Sequence, residues 1–130
     1  MAVSVTTQTA PYVDSLIVDT NSNGTPENDV LSGSADIYVI DIDNSNNTVA
    51  SYLKIWNHGS PTNSSDEVDI LICAAAQTRQ TVTVTGVDTN AATADGVNVG
   101  SGLSFATTTG AALSNVTNPA NPVIVRIMAE

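Results

Sequence analysis

His58 is the only imidazole of the 130-residue sequence and Cys73 its only thiol, so nucleophilic or general-base chemistry would have to begin with them. A Ser-His-Asp or Cys-His device holds the imidazole between a nucleophile and an orienting carboxylate. His58 instead stands in an Asn57-His58-Gly59 turn, far in sequence from Cys73, and no nucleophile-elbow motif accompanies it; it reads as a solvated loop histidine. Cys73 ends the run Val68-Asp69-Ile70-Leu71-Ile72 and is expected to be a buried thiol acting as a small hydrophobe. One histidine and one cysteine are too few for a zinc or transition-metal site. Among the acids, Asp41 and Asp43 share a strand face, and Asp66, Glu67 and Asp69 cluster in a loop. A glycosidase needs in addition a sugar-stacking cleft and one carboxyl group of raised pKa. With one Trp, three Tyr and one Phe, these acids read better as solvated groups at strand ends.

Two further patterns invite a ligand. In Asp19-Thr20-Asn21-Ser22-Asn23-Gly24 the oxygen-bearing residues Asp19, Asn21 and Asn23 alternate, matching the opening half of a calcium-binding loop. Val30 occupies the position where that pattern needs a bidentate Glu, so a polar Asn-Gly turn is the preferred interpretation. Gly100-Ser101-Gly102 lacks the following helix of a phosphate-binding fingerprint and reads as turn or bulge glycines. No catalytic residue and no cofactor are therefore expected, and the chain does not read as an enzyme.

The bulk composition agrees with a scaffold. Charged residues make up 12% and apolar residues 42%, a balance that disordered chains do not have. The missing charge is replaced by Thr, Asn and Ser, which suit pleated surfaces and turns. The net charge is −10, with only Lys54, Arg79 and Arg126 against 13 acids. Tracking phosphates needs clustered cations, so neither nucleic acid nor an anionic membrane is an expected partner. The opening residues show no charged-then-apolar leader and no stretch approaches a membrane span, so synthesis in the cytosol is expected. A single cysteine precludes an intrachain disulfide.

No window combines helical spacing, helix formers and a cap; short β-branched runs separated by turn residues recur instead. Strands are expected at Val3–Thr7, Tyr12–Asp19, Ala35–Ile42, Val49–Trp56, Val68–Ala75, Gln80–Val84, Val97–Val99, Leu103–Thr107 and Pro122–Met128. The third should turn Tyr38, Ile40 and Ile42 to one side and Ile37 and Val39 to the other. The last should turn Val123, Val125 and Ile127 inward and Ile124, Arg126 and Met128 outward. That makes an all-β, antiparallel β-sandwich of about eight strands at 13–130, preceded by an extended arm or edge strand at 1–12. Several strands are apolar on both faces, and a second apolar face asks for cover by loops or by neighbouring subunits.

Ile37-Tyr38-Val39-Ile40-Asp41-Ile42-Asp43-Asn44, then Ala50 to Asn57 with Tyr52-Leu53-Lys54, then Gly102-Leu103-Ser104-Phe105-Ala106, then Val123-Ile124-Val125-Arg126-Ile127, follow in an order that resembles small virion proteins of tailed bacteriophages. The resemblance covers residues 35–130. It implies a jelly-roll sandwich, a homo-oligomer with a trimer first among the options, and a place on the capsid surface of the virion. The implied role is a cement or decoration protein that binds and stabilises the lattice of the major capsid protein. The alternative is a receptor- or glycan-binding module of a tail fibre or head fibre. Candidate contact residues are Val3, Val5 and Tyr12 on the arm, and Trp56, Ile124 and Met128 on the strands.

Overall fold

The alternating runs become strands joined by Asn-, Ser- and Gly-rich turns. A computed structural model describes residues 3–7, 15–84 and 96–130. Its strands are β1 (Val3–Thr7), β2 (Ser15–Ser22), β3 (Ala35–Asp43), β4 (Ser51–Asn57), β5 (Ile70–Ala74), β6 (Arg79–Thr83), β7 (Val97–Val99), β8 (Leu103–Thr108) and β9 (Val123–Ala129). The described residues contain no helix. The large sheet runs β1-β2-β9-β3-β6, with β7 also on β3, and the small sheet runs β5-β4-β8; every pairing is antiparallel.

The segment from Asn23 to Val30 completes the small sheet without being a regular strand. Glu27 and Phe105 exchange backbone bonds in both directions, Thr107 N donates to Asn23 O at 2.8 Å, and Val30 N donates to Leu103 O at 3.0 Å. Counting that segment, the two four-membered layers are β2-β9-β3-β6 and 23–30-β8-β4-β5. This interleaving of one chain between two sheets is the jelly roll.

Between the layers lies a core of Ile17, Ile37, Ile40, Ile42, Leu53, Ile55, Leu103, Phe105, Val123, Val125 and Ile127. In β9 the expected alternation is found, with Val123, Val125 and Ile127 inward. In β3 it is not. The register against β9 shifts between Ile37 and Val39, a bulge that resets the phase so that Ile37 joins Ile40 and Ile42 in the core. Both Tyr38 and Val39 are then left half-buried. A second correction concerns Cys73. It is exposed, because β5 turns Ile70 and Ile72 toward the core and Leu71 and Cys73 away from it.

β4 is enclosed on both of its faces. Leu53 and Ile55 fill the core, while Lys54 and Trp56 point the other way and are equally buried. Two loops cover that outer side. Trp56 Nε1 donates to Asp66 O at 3.1 Å, tying down the loop after β4. Lys54 Nζ donates to the carbonyl oxygens of Asn115 at 2.7 Å, Ala112 at 3.0 Å and Leu113 at 3.4 Å, and to Asn63 Oδ1 at 3.3 Å. Loops therefore answer the demand for a second cover here.

One end of the sandwich is closed by buried asparagines. Asn44 Nδ2 donates to the carbonyls of Val49, Ala74 and Ala75, and its Oδ1 accepts from Asn47 Nδ2 and Ser51 Oγ. Asn47 in turn exchanges bonds with the backbone of Asn121, just before β9. Each buried polar atom so paired avoids the cost of about 1–3 kcal/mol of an unmet group. At the opposite end Gly102 turns β7 into β8 at a φ of 118°, with the Gly59 backbone 3.0 Å from where a Cβ would sit.

Candidate functional site

Ser104, His58 and Asp29 are neighbours in space, yet they are joined through backbone atoms. Ser104 Oγ donates to the His58 carbonyl at 2.6 Å and accepts from Asp29 N at 2.9 Å. The imidazole is engaged elsewhere: its Nδ1 accepts from Ser60 N at 2.9 Å in the expected turn. The Ser104 hydroxyl thus meets peptide groups and fastens the 23–30 segment and the loop after β4 to β8. The loop acids are spent locally too: Asp66 accepts from Thr62 N, and Asp69 accepts from Asn57 N.

The calcium candidates part company. Asp19 faces inward from β2 and is completely buried, while Asn21 is exposed. Asn21 N donates to Asp19 Oδ1 at 2.9 Å, and Thr25 N donates to Asn23 Oδ1 at 2.9 Å, so two of the three side chains cap their own backbone. No group of three or more His, Cys, Asp or Glu among the described residues is placed to hold a metal ion. Asp19 Oδ2 is buried and makes no hydrogen bond. Burial pushes the Asp19 carboxyl above its ordinary pKa. Glu27 is raised as well, first by burial and then by the Asp19 charge. Beside them a Ser22 Oγ–Thr107 Oγ1 bond of 2.7 Å links the two sheets.

The outer face of the large sheet is built differently. The strand registers align Thr6, Leu16, Met128, Val39 and Thr83 in one row across it. The next row reads Ser4, Val18, Arg126, Asp41 and Thr81, and Asp43 pairs with both Ile124 and Arg79 beyond it. Arg79 grips Asp41 through two nitrogens, with Nη2 at 2.7 Å and Nε at 3.0 Å from Oδ2. Arg126 Nη1 approaches that same oxygen only to 3.8 Å, and it is buried without a hydrogen-bond partner. Ser45 donates to Asp43 Oδ1 through both its N and its Oγ, which holds the Asp43 carboxyl below its usual range. Met128 is 40% exposed, and Leu16, Val18, Val39 and Ile124 are half-buried.

At the rim of this sheet β1 pairs, among the described residues, only with β2 and leaves its other edge open. Val3 packs on the core, whereas Val5 is 43% exposed. The large sheet is wider than the small one, so β1 overhangs. Of the expected contact residues, Val3, Val5, Ile124 and Met128 lie on this edge and face. Trp56 does not; it is fully enclosed behind the small sheet and offers no surface. Tyr12 lies outside the described residues. Sequence reasoning missed Arg126 as a site residue. Its place among outward residues of β9 was readable, but the bidentate Arg79–Asp41 pair that leaves its Nη1 without a hydrogen bond was not.

No family model, no curated protein and no solved structure matches the chain.

Proposed function

We propose that this chain is a structural binding module, a decoration or cement protein that docks on the lattice of a bacteriophage major capsid protein. The observation that carries it is β1: a five-residue strand with one edge unpaired among the described residues, exposed from Ser4 to Thr7, and without a charged residue in a chain of net charge −10. Sheet edges of this kind invite another strand, and proteins that must stay free of partners blunt them with Lys, Pro or a bulge. Here none of these protects β1. Strand addition supplies backbone hydrogen bonds, and repetition over a lattice multiplies modest contacts. The order of the central and terminal strands, which resembles small virion proteins, supplies the kind of lattice.

Quantitative mass spectrometry of purified particles tests this directly. A copy number equal to that of the major capsid protein, or a simple fraction of it, is expected. A few copies per particle would transfer the chain to a tail or head fibre, and absence from particles would end both ideas. On the edge itself, Val5→Lys places a charge where a strand must add. We expect lost particle binding with an unchanged β spectrum; binding as tight as wild type would remove β1 from the mechanism.

A further inference from the structure

Lys54 is buried, so Arg79 and Arg126 are the only lysine or arginine side chains at the surface, and both stand on the outer face of the large sheet. They oppose Asp41 and Asp43 there, which leaves the centre of this face electrically balanced. The face also carries the apolar row Leu16, Met128 and Val39.

We infer that the outer face of the large sheet pairs with the same face of a second copy about a two-fold axis. A two-fold contact sets one patch against itself, so the patch must carry both signs of charge and fit its own image. This one does. Two copies of net charge −10 repel wherever acid meets acid, and among the described residues this face combines balanced charge with an apolar row. Arg126 Nη1 is buried 3.8 Å from Asp41 Oδ2 without a hydrogen bond, because Arg79 holds that carboxylate, while the Arg126 side chain is 31% exposed and its open part faces outward. Asp43 spends its Oδ1 on Ser45. Across the axis, Arg126 meets Asp43 of the partner subunit, and symmetry forms the contact twice. The rows of Leu16, Met128 and Val39 close over it and exclude water. A basic protein would be drawn instead to the acidic loop at Asp66–Asp69, and an acidic one would be repelled by the molecule as a whole. The pairing stands apart from the lattice reading, since free chains would show it without any particle.

Sedimentation velocity on the full chain, from low to high micromolar at physiological salt, decides it. A monomer–dimer equilibrium is expected. Met128→Glu, at an exposed position, and Arg126→Glu should each weaken pairing about tenfold or more. Asp43→Arg combined with R126E should restore it, because the charges then meet in reverse. Leu71→Glu, on the outer face of the other sheet, should leave it unchanged. Circular dichroism on each variant separates lost pairing from lost folding. A chain that stays monomeric throughout, a closed trimer, or pairing broken by L71E and untouched by M128E and R126E would each overturn the inference.

Discussion

Asp19 carries a cost inside the sandwich. Its carboxylate is buried, one oxygen is met by Asn21 N, and the other has no hydrogen bond. The folded-state pKa lies above the unfolded value. Between the two values the folded chain holds the additional proton, so stability falls as pH rises through that window, and the whole penalty is present at neutral pH. Asp19→Asn keeps an acceptor for Asn21 N and removes the charge. We expect a gain of about 1 kcal/mol at pH 7, which shrinks as the pH is lowered through the raised Asp19 titration. Thermal unfolding of both proteins across that range checks it, and a destabilised D19N would overturn the reading of the Asp19 charge as a net cost. At this scale the sequence misled about Cys73: a run of apolar residues cannot say which of them alternate out of a two-layer sheet. The Asp19 pattern pointed to a real departure from ordinary packing, but to a buried orphan oxygen rather than a ring of ligands.

β4 and its loops show how one residue can organise an element. Lys54 points away from the core, and three carbonyls of the 112–115 turn converge on its ammonium together with Asn63. Lys54→Met keeps the stem and leaves these oxygens unmet. A loss of about 2 kcal/mol is expected, together with faster proteolysis between Thr109 and Asn121. Equal cleavage rates in the two proteins would show that the loop holds itself. The strands themselves were legible, because period-two alternation and turn residues act locally. β9 follows its expected faces residue by residue. β3 departs from its pattern because a bulge is set by pairing with β9, a partner about ninety residues away in the chain, and no local signal encodes it. The 23–30 segment, fourth member of the small sheet, likewise carries no local strand signal. Its bonds to β8 need no alternating side chains, so nothing in composition marks it.

For the molecule as a whole, charge is the dominant long-range term. At net charge −10, with both surface arginines committed to one face, acids elsewhere repel one another. Added sodium chloride should therefore raise the melting temperature up to about 0.15 M, where screening lengths fall to roughly 8 Å. A flat or falling curve would show that pairs such as Arg79–Asp41 outweigh the repulsion. The all-β class and the two layers followed from composition and alternation. The side-by-side order of strands did not, since long-range pairing leaves no trace in spacing; its jelly-roll form entered through resemblance. That order has a consequence for biosynthesis. β9 lies in the middle of the large sheet, between β2 and β3, although it follows all the other described strands in chain order. While the ribosome still holds it, β2 and β3 lack the neighbour that joins them, and their apolar faces wait uncovered. The nascent chain cannot complete its core during translation; it must close in a late, cooperative step, and chaperones meet it before that step.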